Sequence, residues 1–420
     1  MISALPDYDH AAALVAAYAH SLGPLRPVHE RVELGQAPGR TLAQPLLADC
    51  DQPSFARSTR DGYACRAAEA SAHKPLPVAG ATRAGQTPQG PLPPHSVWEI
   101  MTGAAVPAGA DAVIMLEHVE ASGATGAAKI RLLPPRSIES GENIVPQGAQ
   151  ARAGDELLPA GTTLRSGQIA LAAACGYPEL EVVPRPRVAI LATGDELVPV
   201  ASSPAPGQIR NSNAPMLAAM VAAAGGDPWV LPAAADSASA LDAALAQAAS
   251  TDLLLISGGV SAGKFDLVEP ALARIGARFH FTGVRIQPGK PTVFGELPRS
   301  ASSPLPFFGL PGNPVSTAVT FLLFAAPVLA ALARSTDSYP RFALARLAPS
   351  ADRHAKDGLT RFLPAFCNFS ASADQLPQVS FVPWHGSGDL VALARSNCFL
   401  VVPEDAHDLK PNSLACILLP

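Results

Sequence analysis

The sequence predicts a multidomain α/β plus β protein: a doubly wound, mostly parallel α/β domain, a β-rich lobe before it and a small all-β domain after it. Three observations predict this. The chain has 420 residues, too many for one ordinary domain and enough for two to four. From residue 187 onward, continuous apolar runs alternate with Ala-rich helical stretches, the pattern of a parallel sheet with helices on both faces. After about residue 335 the runs become short and alternating, with turn residues between them.

Taken in order, residues 5–22 read as a short Ala-rich helix, and RVELG and TLAQPLLA as strand-like. Residues 50–145 mix turn residues with short apolar runs (VWEIMTG, DAVIMLEHV, AKIRLLP), a β-rich lobe. Residues 146–185 hold short strands and one helix near SGQIALAAACG. RVAILAT is a strand, NAPMLAAMVAAAGG a helix, PWVLPAA a short strand and SASALDAALAQAAS a second helix. DLLLISGGV is a strand and DLVEPALARIGA a third helix. RFHFTGVRI, PTVFGEL, PFFGL and a long apolar helix follow. RFALARL, TRFLPAF, QVSFVPW, DLVALAR, CFLVVP and SLACILL read as short strands of a small barrel or sandwich. The resulting division is 1–50 with 146–180, a helix and elongated β linker; 51–145, the lobe; 181–335, the α/β domain; and 336–420, the C-terminal β domain.

Hydrophobic residues make up 48% of the chain, enough for sizeable cores, while charged residues are only 15% and the net charge is −5. Lys and Arg are scattered with no basic run, and aromatics are 5%, so neither a nucleic-acid footprint nor a stacking platform is expected. Six cysteines lie far apart without C-x-x-C or zinc spacing, which fits a reduced, cytoplasmic setting. The N-terminus lacks a basic n-region and carries Asp7 and Asp9, unlike a signal peptide. Ala318–Ala333 is apolar but contains Pro327 and is shorter than a bilayer span, so it reads as a buried core helix.

In an open α/β sheet, ligands bind outside the carboxyl ends of the strands. Three loops leave such ends here. TGDEL (Thr193–Leu197) carries Asp195 and Glu196. In SGGVSAGKFD (Ser257–Asp266), Gly258 and Gly259 would let backbone N–H groups approach a phosphate, and Ser257 and Ser261 can donate. FGLPGNPVS (Phe308–Ser316) is a strand–turn–helix. Pro311 and Pro314 fix φ there, Gly312 lets a backbone or ligand come close, and Asn313 can cap the helix. Its helix start presents N–H groups that favour an anion, although alone the turn reads as a structural cap. Lys290 of IQPGKP sits in a proline-bounded turn nearby in sequence.

Neither a Walker loop nor a G-x-G-x-x-G after a strand is present, so a redox dinucleotide enzyme is disfavoured. Carboxylates beside a phosphate loop repel the ligand unless a cation intervenes. Mg²⁺ is the usual one, and Glu196 and Asp266 are its candidate ligands. Singly, Glu196 reads as a first-turn helix acid, Asp266 as an N-cap and Lys290 as a surface charge. Gathered at adjacent strand ends, they favour a ligand site.

TGDEL, SGGVSAGKFD, IQPGKP and FGLPGNPVS, in this order and spacing, resemble the MoeA family of molybdopterin molybdenumtransferases, to which gephyrin's C-terminal domain also belongs. PSFARSTRDGYA, IMTGAAVPAGADAVIMLE, GENI, HGSGDL and VVPE look like further blocks of that family, so the resemblance covers essentially the whole chain. It implies an elongated homodimer with a MogA-like pterin-binding α/β domain, a C-terminal β-barrel, and an active cleft completed by residues 51–145 of the partner subunit. The implied reaction takes adenylyl-molybdopterin and molybdate, releases AMP and yields the molybdenum cofactor, with Mg²⁺ assisting. A MogA-like adenylyltransferase is an implied donor; neither nucleic acid nor membrane is an expected partner.

By the same resemblance, Asp61 and Thr102 reach across from the other subunit, and Glu196, Asp236 and Asp266 match acidic positions. Asp61 also reads as an Asp-Gly turn residue, Thr102 as a turn hydroxyl and Asp236 as a helix cap. Lys290, Ser316 and the Pro311–Pro314 turn would line the pterin or molybdate end, with Ser387 of HGSG approaching from the barrel. IVPQG follows GEN where the family often has an arginine-rich stretch, and Leu359 stands where it has arginine. Arg361, two positions on and on the same face of a strand, is a candidate replacement. Two other functions fit the same fold: a non-catalytic pterin-binding scaffold, and a pterin or nucleotide phosphohydrolase.

Overall fold

Unbroken apolar runs become strands covered on both faces. The computed structural model describes residues 5–22, 29–71, 73–123, 128–259, 267–299, 303–337, 339–348, 358–369, 375–404 and 410–420. Six strands of the middle region form one sheet in the order Asp227–Val230, Arg187–Ala192, Leu253–Ser257, Leu305–Leu310, Val293–Leu297, Arg278–Thr282. The first four are mutually parallel, and Val293–Leu297 runs antiparallel to both its neighbours. Every residue of Leu253–Ser257 and of Leu305–Leu310 is buried, which is why these runs carry no polar alternation. Val188, Ile190, Leu255 and Phe308 join one apolar core; Ala189, Leu191, Leu254 and Phe307 join another, as the two-residue period of a strand requires.

The helices Asn213–Ala223, Ala238–Ala248 and Val268–Arg274 form where expected. Ser237 caps the second by accepting the Ala240 N–H (3.3 Å), so Asp236 is not its cap. The apolar segment Pro314–Leu332 is a core element, with 89% of its most apolar window buried inside the protein. It is interrupted by a wide π-helical turn at Phe321–Ala325. Pro327 accounts for the interruption: its nitrogen has no hydrogen to give the Leu323 carbonyl, and its ring crowds the preceding turn. The N-terminal helix, Tyr8–Ser21, is capped by Asp7, which accepts the His10 N–H (2.8 Å). Its buried Ala11 and Val15 join the core that holds this segment.

At the C-terminus, Arg341–Leu347, Thr360–Asn368, Gln378–Phe381, Cys398–Val402 and Leu414–Leu419 pair in a closed five-stranded ring. This is a barrel, not an open sandwich. DLVALAR departs from expectation: Leu390–Arg395 is a helix. Asp389 starts it by accepting the Ala392 N–H (3.0 Å), and Leu and Ala are strong helix formers. A short strand, Ile286–Gln287, lies parallel to the start of Thr360–Asn368, pairing Gln287 with Arg361.

Chain contacts divide the molecule into two compact units, Met1–Ala43 with Gly161–Arg165 and Leu180–Pro420, and Gln44–Ala160 with Ser166–Glu179. The second unit is the β-rich lobe. Its main sheet has the order Ala112–Met115, Gly62–Cys65, Val97–Ile100, Leu76–Thr82, Lys129–Leu132, Val119–Ser122. The helix Ser166–Ala174 also belongs to this unit.

Candidate active site

The carboxyl ends of the parallel strands open into a cleft of about 820 Å³, within the range of small-molecule sites. Its lining includes Thr193, Glu196, Asp236, Ser257, Gly258, Gly259 and the Pro311–Pro314 turn. Three of the predicted loops therefore meet. Ser261 and Asp266 lie outside the described residues, so Glu196 is the metal candidate whose position is known.

The Ser257-Gly258-Gly259 turn folds directly onto Thr193. Gly258 (φ 97°) and Gly259 (φ 64°) are left-handed. A β-carbon on Gly258 would lie 2.6 Å from the Thr193 carbonyl oxygen; one on Gly259 would lie 2.7 Å from Val268 Cγ2 and 2.8 Å from Thr193 Oγ1. Glycine is demanded by space as well as by φ. The expected phosphate contact is narrowed, because the Gly258 N–H is already given to the Leu310 carbonyl (3.1 Å).

The Pro311–Pro314 turn is held from outside itself. Asn313 occupies the cap position but makes no side-chain cap. Its Nδ2 donates instead to Ser387 Oγ (2.7 Å), in the loop that approaches from the barrel. The Val315 N–H goes to the Ser387 carbonyl (3.0 Å), and Pro314 has no N–H, so fewer helix-start donors remain than the sequence suggested. Thr317 Oγ1 donates toward the Pro311 carbonyl (2.5 Å). Gly312 is not forced by crowding: a β-carbon there would meet Gly258 Cα at 3.6 Å, an ordinary contact.

Asn213 ties the two turns together and was missed in the sequence. It begins its helix, and its Nδ2 donates to Ser257 Oγ (2.8 Å) and the Gly312 carbonyl (2.6 Å). The only prior signal was an asparagine before an apolar helical run, which reads equally as a cap.

The acids stand on the exposed rim of the cleft. Glu196 folds its carboxylate back over Gly194, whose φ is 141°. Asp195 Oδ1 accepts the Asp236 N–H (3.0 Å), joining the ends of two adjacent strands. Among the described residues no cluster of three metal-binding side chains forms. Exposed carboxylate oxygens are nevertheless the donors Mg²⁺ takes, and one or two suffice when substrate phosphates and water fill the shell.

A second hollow, about 380 Å³, shares Pro311, Asn313 and Pro291 with the first. Lys290, Ser316, Ser387 and Gln287 line it. Among the described residues no carboxylate pairs with Lys290, whose charge is exposed. Arg361 sits beside Gln287 through the strand register, at the edge of the turn that carries Lys290.

In the lobe, Asp61 and Thr102 are brought together. Thr102 donates both its N–H (2.6 Å) and its Oγ1–H (2.9 Å) to Asp61 Oδ1. These bonds hold the exposed Asp61 carboxyl below the usual carboxylate range. Asp61 is followed by Gly62, where any β-carbon would strike the Ile114 carbonyl across the sheet. The Asp-Gly pair is thus the start of a tightly packed strand, not a simple turn.

Three family profiles match successive parts of the chain: the MoeA N-terminal region (domains I and II) over residues 7–176, a probable molybdopterin binding domain over 189–331, and the MoeA C-terminal region (domain IV) over 346–419. A curated molybdopterin molybdenumtransferase from Nostoc sp. is 35% identical over 394 residues, covering 89% of this chain and 85% of that protein. The chain belongs to the MoeA family. Its Bacillus subtilis relative of the same description is 34% identical, covering 93% of this chain and 89% of that one. The fold agrees with the crystal structure of a molybdopterin biosynthesis MoeA protein from Pyrococcus horikoshii. That match has a TM-score of 0.79 and 28% identity, over 99% of this chain and 100% of the other.

Proposed function

We infer that this MoeA-family enzyme of molybdenum cofactor biosynthesis inserts molybdenum from molybdate into adenylyl-molybdopterin and releases AMP. One observation carries the reading: two hollows of different size share a wall. The larger, rimmed by Glu196 and Asp236, suits an extended pterin nucleotide. The smaller, with Lys290, Ser316 and Ser387, suits a compact oxyanion. Glu196, with Asp266, would hold Mg²⁺, which supplies charge neutralisation on the phosphoanhydride. Lys290 stabilises the oxyanion charge, and the fixed Pro311–Pro314 turn keeps the two ligands in line. In a homodimer, Asp61 of the lobe would complete the cleft of the other subunit.

The test is an incubation of purified protein with adenylyl-molybdopterin, molybdate and Mg²⁺. AMP release together with active cofactor is expected. AMP release without molybdenum transfer would instead indicate a phosphohydrolase, and neither product a binding scaffold.

A further inference from the structure

The large cleft offers a phosphate little to bind. Glu196 and Asp236 on its rim repel an anion that meets them without a cation between. The backbone donor expected from the glycine turn is spent, because the Gly258 N–H goes to the Leu310 carbonyl (3.1 Å). Among the described residues that line the cleft, Arg210 carries the only positive charge. It stands on the same ribbon as Glu196. Leu197–Val198 and Ile209–Arg210 pair in parallel, and the Ile209 N–H is given to the Glu196 carbonyl (2.8 Å). One strand of the ribbon follows the carboxylate and the other carries the guanidinium.

The side chain is held by its stem and open at its tip. Arg210 Nε donates to the Ser202 carbonyl (2.9 Å). The loop between them is closed on itself: the Gln208 N–H goes to the Ala205 carbonyl (2.9 Å) and Gln208 Oε1 accepts the Ala205 N–H (3.1 Å). Pro204 and Gln208 of that loop also line the cleft, so the arginine is anchored to chain that forms the cleft wall. Arg210 is exposed, and among the described residues no carboxylate pairs with it. With Nε committed, the two terminal amino groups keep their donors, in the planar fork that fits phosphate oxygens. A long side chain fixed before binding also loses less freedom when the ligand arrives. We propose that Arg210 is the phosphate-binding side chain of the cleft, its terminal amino groups taking oxygens of the substrate's phosphoanhydride while the Ser202 carbonyl holds its stem. The proposal rests on the adenylylated substrate inferred above. It adds a direct protein contact to the anhydride that needs no metal.

The test is equilibrium binding of adenylyl-molybdopterin to the full-length protein in the presence of EDTA, so that no cation bridges carboxylate and phosphate. Arg210→Gln should weaken binding at least about 10-fold, the loss expected when a charge-assisted hydrogen bond is removed. Arg210→Lys keeps the charge but not the fork, and should weaken it only about 3-fold. Both variants should keep the thermal midpoint of the unliganded protein, since an exposed side chain with one bond to a carbonyl adds little to stability. Wild-type affinity in Arg210→Gln overturns the proposal while leaving the cleft as the site of the adenylylated substrate. Equal losses in Arg210→Gln and Arg210→Lys, with lowered midpoints in both, also overturn it, because they mark Arg210 as a brace of its loop. Failure of the wild type to bind adenylyl-molybdopterin with or without Mg²⁺ overturns the substrate reading itself.

Discussion

The cleft of the α/β domain and the Asp61–Thr102 corner of the lobe hold their polar groups in opposite ways. The cleft wall is a network, buried at Asn213 and open to solvent at Asn313. Asn213 clasps Ser257 and Gly312, and Asn313 clasps Ser387, each bond linking segments distant in sequence. The corner is an exposed carboxylate held by two bonds from one residue. A network of that kind gives position, because no member can move alone. A clamped, exposed carboxylate gives charge at a chosen point and keeps it ionised. Shape in one place and charge in the other is the division of labour that the proposed reaction would call on.

The largest effect that would sharpen this contrast is on the charge. Asp61→Asn keeps an oxygen for Thr102 to bond but removes the charge, and turnover should fall about 10²–10³-fold with the fold intact. Wild-type turnover would break the assignment. The pH behaviour has a definite sign. Asp61 is held below the ordinary range, so any stability from the corner is present at neutral pH and is lost only as the pH falls through that depressed value. Thr102→Val should move the Asp61 titration, followed by NMR, up toward the ordinary range.

Next comes shape. Gly259→Ala should cost about 1–3 kcal/mol in urea unfolding, because a left-handed backbone and contacts with Val268 and Thr193 both oppose a β-carbon. Asp389→Ala should lower the thermal midpoint by only about 2 °C through loss of the cap of Leu390–Arg395; no change would mean that helix is held by packing alone. The smallest effect is expected at Gly312→Ala, within about 0.5 kcal/mol, since the site leaves room. A large loss there would show that the two glycine turns are less different than their geometry indicates.

These positions also show what the sequence could and could not disclose. The α/β sheet was legible because its central strands are buried on both faces, which writes them as continuous apolar runs between the helical stretches. Leu390–Arg395 was misread because LVALAR satisfies a period of two as well as a helical one, and the deciding feature, Asp389, lies just outside it. The order of the lobe sheet left no local trace, since its pairings join segments far apart, such as Gly62–Cys65 with Ala112–Met115. The meeting of TGDEL, SGG and PGNP followed from strand ends. The Asn213 clasp did not, because hydrogen bonds between distant segments have no spacing to recognise.

The wide turn at Phe321–Ala325 has a consequence for how one segment serves two neighbours. An added residue shifts the phase of everything beyond it by about 100° around the helix axis. Thr317, before the turn, faces the polar network under the Pro311–Pro314 loop. Leu329, after it, packs beside Gly226 and Val221. An unbroken helix would present both residues on a fixed angular schedule. The extra residue uncouples them, so the half that braces the cleft and the half that fills the core can each be aimed independently.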